Sequence, residues 1–183
     1  MNTGCNPNSC GIPQSEHKNL LSNTKFILSH PNSKCPTWNA FLVAIILVVF
    51  SQVIYYDFIF YDDFNYTVAK IDKGNVWTYS FLRWAFSSTD DGFWAPITKI
   101  SHRIDTHLFK NKAGGHHAIN LLFHIINALI LWRFLCKITK RDSLIQFLAV
   151  CLFAVHPLKV EPVAWIASRK DLLSLLFLLL MLM

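Results

Sequence analysis

Charged residues are scarce in this sequence. Only 15% of its 183 residues are Asp, Glu, Lys or Arg, whereas 53% are hydrophobic. A soluble domain carries about 25% charged residues, so this chain has too few to cover a globule of its size, and its apolar content excludes a disordered chain. Its 17 Lys and Arg residues are scattered, without the basic helix or RNA-binding pattern of a nucleic-acid-binding protein. The composition favours a membrane protein.

Several motifs of soluble and secreted proteins are also missing. The sequence has no Gly-rich phosphate loop, no His-Glu-x-x-His zinc motif and no Gly-x-Ser-x-Gly nucleophile turn, which argues against a water-soluble nucleotide enzyme. Its five cysteines include no Cys-x-x-Cys pair, and none lies within 57–117, which argues against a disulfide framework. Residues 1–36 lack the apolar segment of a signal peptide and predict a flexible polar tail.

The hydrophobic residues are concentrated in blocks, which predict an all-α polytopic membrane protein. Residues 38–56 are long enough to cross a hydrocarbon layer, with Trp38 at one end and Tyr55 and Tyr56 at the other. The further predicted spans are 118–136, 144–158 and 172–183. Because the last block runs to the end of the chain as LLSLLFLLLMLM, we expect an N-terminal piece of a longer protein, with its C-terminal helices absent.

The basic residues predict the orientation of these spans. Lysines in the tail and the basic turn KITKRD (137–142) fall on one side of the membrane, which the positive-inside rule assigns to the cytosol. The stretches 57–117 and 157–171 then lie together on the opposite face.

The first of these stretches is rich in aromatic residues and is unlike a linker. Ile97, Ile100, Ile104 and Leu108 recur at helical spacing, which predicts an amphipathic helix on the membrane surface. Val76–Phe86 is a second candidate. The alternative is a small packed loop domain.

Polar residues recur on one face of the second span. His117, Asn120, His124 and Asn127 are three, four and three residues apart, so they share one side of a helix. Such residues in a membrane face other helices or a wet cavity. They either form hydrogen bonds between helices or contribute to a site.

Two stretches could carry chemistry. Asp62 and Asp63 follow the first span directly, where partial desolvation would raise a carboxylate pKa and make it a better base; the alternative is a simple interfacial turn. The stretch HPLKVEPVAWIASRKD begins at His156 and places Arg169 and Lys170 on the same face. These cations either hold a lipid phosphate or anchor a helix at the headgroups.

The order of these pieces resembles one family. YDD after the first span, then WAFSS, PITKISHRIDTHLF, AGGHHAINLLFHIINALIL and HPLKVEPVAWIASRKDLLS are similar to the transmembrane and tetratricopeptide-repeat-containing proteins, over roughly residues 38–183. The resemblance implies a GT-C-like membrane fold, with further helices and lumenal repeats downstream. One departure is Ala95-Pro96, where bacterial relatives often have His before the Pro; this puts a role of that position in doubt.

The resemblance implies a protein O-mannosyltransferase of the endoplasmic reticulum membrane, with a cytosolic N-terminus. It would transfer mannose from dolichyl phosphate mannose to Ser or Thr hydroxyls of secretory or membrane proteins, cadherins among them. In such a transfer Asp62 or Asp63 would be the catalytic base. The substrate-binding candidates are Arg169, Lys170, Glu161, His156, Arg103, His116 and His117.

No cofactor is required by this chemistry, although the carboxylates could accept a divalent metal. We expect the 183-residue chain to be inactive alone. The competing interpretations are a non-catalytic membrane scaffold of the same fold and a transporter. The transporter is disfavoured because the acids cluster in a loop rather than at mid-membrane.

Overall fold

The longest element of the computed structural model is a 27-residue helix, Ala113–Thr139. The structure describes residues 35–59, 63, 78–89, 94–139 and 143–183, so the predicted tail lies almost wholly outside the described residues. Within these ranges the chain is helical and has no strand, which agrees with the predicted all-α class. The α-helices are α1 (Cys35–Phe50), α2 (Tyr79–Ser87), α3 (Pro96–Phe109), α4 (Ala113–Thr139), α5 (Leu144–Val155), α6 (Val160–Ala164) and α7 (Arg169–Leu182). The 3-10 turns are Ser51–Tyr55, Pro157–Lys159 and Ile166–Ser168.

Two described segments are long and apolar enough to cross a membrane, Trp38–Tyr55 and Ala113–Thr139. The first corresponds to the predicted span 38–56. The second contains the predicted span 118–136 and begins earlier, so that His116 and His117 belong to the same continuous helix. Both findings support a membrane protein.

The predicted third span is bent. Helices α5 and α6 together are apolar enough for a span, but they meet at an angle of 53°. The break falls at His156, whose backbone is extended with φ −61° and ψ 137° because the following Pro157 disfavours helical geometry before it. The predicted fourth span falls in α7, which has 14 residues.

Helix α4 is central to the packing and contacts α1, α3, α5, α6 and α7. The apolar core lies where α4 meets α1 and α5. Its fully buried members include Leu42, Ile46, Ala128, Val150 and Ala154. Because lipid is as apolar as these side chains, close packing and hydrogen bonds hold such helices together in a membrane.

Polar side chains of α4 bind backbone carbonyls of the neighbouring helices. His124 Nε2 donates to the carbonyl of Ala154 at 2.9 Å, near the end of α5. Asn127 Nδ2 donates to the carbonyl of Leu172 in α7, also at 2.9 Å. The last carbonyls of a helix lack internal donors, so His124 supplies the donor that the carbonyl of Ala154 needs at the end of α5. For His124 and Asn127 the prediction of hydrogen bonds between helices is confirmed.

Helix α3 turns its polar side inward. Its predicted apolar side chains are the more exposed ones, with Ile97 at 48% and Leu108 at 63%. Its buried side chains are mainly polar, among them Lys99, His102 and Asp105. In a water-soluble protein the apolar side chains of such a helix would be buried and the polar ones exposed. The observed arrangement suits a helix whose apolar side meets lipid and whose polar side meets the protein.

Two glycines allow close packing at the start of α4. A Cβ atom on Gly114 would lie 2.5 Å from the carbonyl oxygen of Ile54, which belongs to the backbone of the turn after α1. A Cβ atom on Gly115 would overlap the ring of Phe109 at the end of α3. These positions therefore fix how closely α1, α3 and α4 approach.

We expect Gly114→Ala to destabilise the protein. Alanine is a better helix former by about 1 kcal/mol, but the clash with backbone has no side chain that could move away, and overpacking of this kind costs about 1–3 kcal/mol. The measurement is the free energy of unfolding by denaturant titration in detergent micelles. Leu122→Ala, at an exposed position of the same helix, is the control. A Gly114→Ala variant as stable as wild type would contradict the packing described here.

Candidate active site at the ends of α3, α4 and α7

The Arg169 side chain is the centre of a buried polar cluster. It is the first residue of α7 and is 0% exposed. Nε donates to Asn120 Oδ1 at 2.7 Å, Nη1 to Ser101 Oγ at 2.9 Å, and Nη2 to the carbonyl of His116 at 3.1 Å. Nη1 also forms a 2.5 Å ion pair with Asp105 Oδ2. One guanidinium thus joins α3, α4 and α7.

The ion pair between Asp105 and Arg169 is maintained against the cost of burial. Burial raises the pKa of Asp105, and the positive charge of Arg169 opposes that shift. Burial likewise lowers the pKa of Arg169, and the Asp105 carboxylate opposes it. Removing one partner of such a pair leaves an uncompensated charge in a dry site. The two residues therefore depend on each other.

His116 is fixed beside this ion pair. Its Nε2 lies 3.2 Å from the carbonyl of Lys110, in the turn between α3 and α4. Because a carbonyl only accepts, Nε2 carries the proton. Its Nδ1 lies 3.7 Å from Asp105 Oδ2. Both the ring and the backbone of His116 are thus engaged within the protein.

Asp63 connects the first predicted lumenal stretch to the start of α7. Its carboxylate is fully buried and accepts two backbone hydrogen bonds, from Ala167 at 2.9 Å and from Ile59 at 3.0 Å. Ala167 precedes Arg169 by two residues, so Asp63 contacts the ASRKD stretch although Asp63 and Ala167 are 104 positions apart in the sequence. Asp62 lies outside the described residues.

His117 is buried like the other histidines on α4. It is 1% exposed, and its ring interacts with the backbone carbonyl of Asp57 at the end of the first span. His116 and His124 each have one nitrogen at a backbone carbonyl. The ring of Tyr56 packs edge-on against His117 at 6.3 Å between centroids, and the Asp63 carboxylate acts on it electrostatically.

The remaining predicted site residues lie at different depths. Lys170 is half-buried, next to Arg169. His156 and Glu161 are exposed at the bend between α5 and α6. Arg103 is buried, with its guanidinium 5.5 Å from the ring centroid of Phe81 in α2.

Three side-chain partners of Arg169 were not among the predicted catalytic or substrate-binding residues: Ser101, Asp105 and Asn120. Asn120 belongs to the polar face predicted for the second span, whereas Ser101 and Asp105 lie on the polar side of α3. The sequence does contain a signal for Asp105, because an acid on an amphipathic helix of such an apolar chain needs a cation. The identity of that cation follows only from the fold, since Arg169 is 64 residues away.

One group of described side chains has the chemistry of metal ligands. His102, Asp105 and His116 each place a ligand atom within 4.8 Å of the others. However, Arg169 already pairs with the carboxylate oxygen of Asp105. A divalent cation there would face the guanidinium at close range in a dry site, so we assign no metal role to this group.

Curated proteins similar to this chain share one description. The chain is 32% identical to human protein O-mannosyl-transferase TMTC4 over 178 residues, which is 82% of this chain and 23% of that protein. It is 33% identical to mouse protein O-mannosyl-transferase TMTC1 over 112 residues, covering 54% of this chain and 12% of the relative. It is 33% identical to human protein O-mannosyl-transferase TMTC3 over 84 residues, which cover 46% of this chain and 9% of that protein.

These relatives are much longer than the chain, which spans 9% to 23% of their length. No protein-family model matches the sequence. No solved structure matches it either. All three of these relatives are named protein O-mannosyl-transferases.

Proposed function

Because the chain belongs to the transmembrane and tetratricopeptide-repeat-containing (TMTC) family, whose matched members are named protein O-mannosyl-transferases, we propose that it carries the active-site half of such an enzyme. The donor is dolichyl phosphate mannose and the acceptor is a Ser or Thr hydroxyl. The observation that carries the proposal beyond the names is the hydrogen bond between Asp63 and Ala167. It joins Asp63, the sequence neighbour of Asp62, to the segment just before the basic start of α7, where an anionic leaving group would need a cation.

Asp62 is the proposed general base. The acceptor hydroxyl must lose its proton as it attacks the sugar carbon, and a nearby carboxylate can take that proton. Both oxygens of Asp63 accept backbone hydrogen bonds in a buried position. Asp63 is therefore better suited to a structural role, in which it holds this part of the chain against Ala167. Its sequence neighbour Asp62 is better suited to accept the proton of the hydroxyl.

The leaving phosphate needs positive charge as the glycosidic bond breaks. We assign this role to Lys170, with Arg103 second. Arg169 has its three nitrogens occupied by protein partners. In the proposal Arg169 positions Lys170, and the segment that precedes α7, relative to α3 and α4. Arg169 would contact the phosphate only if its present hydrogen bonds rearranged.

The site of action in the proposal is the lumenal face of the endoplasmic reticulum membrane, with the N-terminus in the cytosol. The acceptors are secretory or membrane proteins, with cadherins as the first class to test. The alternative of a scaffold without activity shares the fold and differs only in tolerating loss of both aspartates.

The proposal is tested by glycopeptide mass spectrometry on cells in which the gene is deleted and then restored. We expect O-mannose on a set of secretory-pathway peptides to disappear on deletion and to return with the complete gene product. Unchanged O-mannose after deletion of this gene and its relatives together would contradict the function. Return of O-mannose with both Asp62→Asn and Asp63→Asn present would favour the scaffold.

We expect the purified 183-residue chain to transfer no mannose by itself, because it covers under a quarter of the length of its curated relatives. The measurement is incorporation of labelled mannose into an acceptor peptide, with the complete gene product as positive control. Incorporation above background by the 183 residues would refute this expectation.

A further inference from the structure

Asn120 and Asn127 occupy equivalent positions on helix α4 but bind different parts of the chain. They are seven residues apart, which places them on one side of the helix, and both are 0% exposed. Asn127 Nδ2 donates to the carbonyl of Leu172, within α7. Asn120 Nδ2 donates at 3.2 Å to the carbonyl of Trp165, which lies between α6 and α7. Each amide thus binds a carbonyl 45 residues further along the chain, but only that of Asn120 lies in the connection before α7.

The Asn120 amide is used at both ends. Its Oδ1 accepts from Arg169 Nε at 2.7 Å, while its Nδ2 donates to the carbonyl of Trp165. Because a guanidinium only donates and a carbonyl only accepts, these two partners fix the direction in which the amide faces. The Oδ1 atom of Asn127, in contrast, makes no hydrogen bond in the part of the chain that the structure describes. Asn120 therefore links the connection before α7 to the first residue of α7.

The same connection is also held from its other side. The carbonyl of Trp165 accepts a hydrogen bond from the N–H of Ser168 at 3.1 Å, so it belongs to the 3-10 turn that precedes α7. The N–H of Ala167, within this turn, donates to Asp63. The turn is buried, and buried backbone groups need partners. Asn120 and Asp63 supply them from two different elements, so the turn is fixed relative to α4.

From these contacts we propose that Asn120 is the positioning residue for Lys170, the cation assigned to the leaving phosphate. Lys170 follows Arg169 directly, so the bonds of Asn120 to Trp165 and Arg169 set where α7 begins and thereby where Lys170 lies. Asn120 does not contact the substrate and acts only through this connection. The inference rests on the proposed function, because stabilisation of a leaving phosphate depends on where the cation is held.

The first test compares Asn120→Leu with Asn127→Leu in the complete gene product. Leucine is close to asparagine in size and removes the amide in both cases, so both variants are expected to lose stability. Only Asn120→Leu is expected to lower kcat/KM for dolichyl phosphate mannose, by about 10- to 100-fold, the effect of a misplaced group at a reaction site. KM for the acceptor peptide should be unchanged in both. Equal donor kinetics in the two variants would reduce Asn120 to a structural role and overturn the inference.

A double-mutant cycle tests whether Asn120 acts through Lys170. In a Lys170→Met background, adding Asn120→Leu is expected to change kcat/KM for the donor by less than about 3-fold, because the cation that it positions is already absent. Effects of the two substitutions that multiply in full would overturn the inference. Asn120→Ala, which removes the amide without adding apolar bulk, replaces Asn120→Leu in both tests if the leucine variant does not fold.

Hydrogen exchange gives a measurement that needs no turnover. In the protein without substrate, mass spectrometry of peptides that cover 165–170 is expected to show faster amide exchange in Asn120→Leu than in wild type. Asn127→Leu should leave exchange in these peptides unchanged. Wild-type exchange of 165–170 in Asn120→Leu would contradict the positioning role. Absence of mannosyl transfer by wild type would instead overturn the proposed function.

Discussion

Asp62→Asn in the complete gene product is expected to reduce mannosyl transfer by about 10²- to 10⁴-fold, the contribution of a positioned general base. Asparagine has nearly the same shape as aspartate but cannot take the proton from the acceptor hydroxyl. Expression and membrane insertion should be unchanged. The measurement is kcat for transfer from dolichyl phosphate mannose to an acceptor peptide, made on protein quantified by immunoblot.

Asp63→Asn is the matched comparison, since it makes the same chemical change at the next residue. The Asp63 carboxylate accepts from Ala167 and Ile59, and an amide can accept only one of these bonds while its NH₂ group faces the other donor. We expect a loss of about 1–3 kcal/mol in the free energy of unfolding, the cost of leaving a buried group unsatisfied. A larger loss of kcat in Asp63→Asn than in Asp62→Asn, with stability intact, would reverse the two roles.

Arg169→Met is expected to be the most destabilising single substitution in the described part of the chain. Methionine fills much of the volume but leaves Asp105 buried without its cation, and breaking a buried pair in this way costs about 3–5 kcal/mol. The loss should be read from denaturant titration in micelles. A free energy of unfolding within about 1 kcal/mol of the wild-type value would contradict the stabilising role assigned to the ion pair of Arg169 with Asp105.

The cause of that loss can be isolated with a second substitution. In Arg169→Met, adding Asp105→Asn removes the orphaned charge, so the double variant should be more stable than Arg169→Met alone at neutral pH. Without Arg169 the pKa of Asp105, already raised by burial, rises further. The folded state then holds a proton that the unfolded state has released, so the stability of Arg169→Met should fall as pH rises from the ordinary carboxyl range towards neutrality. A pH-independent deficit would show that packing, rather than charge, is responsible.

The helices were predictable because their signals are local. The span 38–56 and the amphipathic pattern of Ile97, Ile100, Ile104 and Leu108 depend on composition and periodicity alone, and α1 and α3 form where these patterns lie. The polar spacing of α4 also predicted hydrogen bonds between helices for His124 and Asn127. What the pattern could not give was the side of α3 that faces the protein, since a lipid-facing and a water-facing helix have the same period.

The connections within the site could not be predicted, because they join distant parts of the chain. Asp63 accepts a hydrogen bond from the backbone N–H of Ala167. Because almost every residue has a backbone N–H, the sequence does not indicate which one binds Asp63. The sequence likewise presents Arg169 as a lipid-facing cation at a helix start, whereas the fold buries it with Asp105 and Asn120.

The central claim is that this chain carries the catalytic base of a mannosyltransferase, Asp62. It is tested most directly by incubating the purified complete gene product with dolichyl phosphate carrying labelled mannose and an acceptor peptide, and measuring label bound to Ser or Thr. The account predicts incorporation that depends on time, donor and acceptor with wild type, and none above background with Asp62→Asn. Incorporation by wild type no greater than by protein-free detergent, or full incorporation by Asp62→Asn, would contradict it.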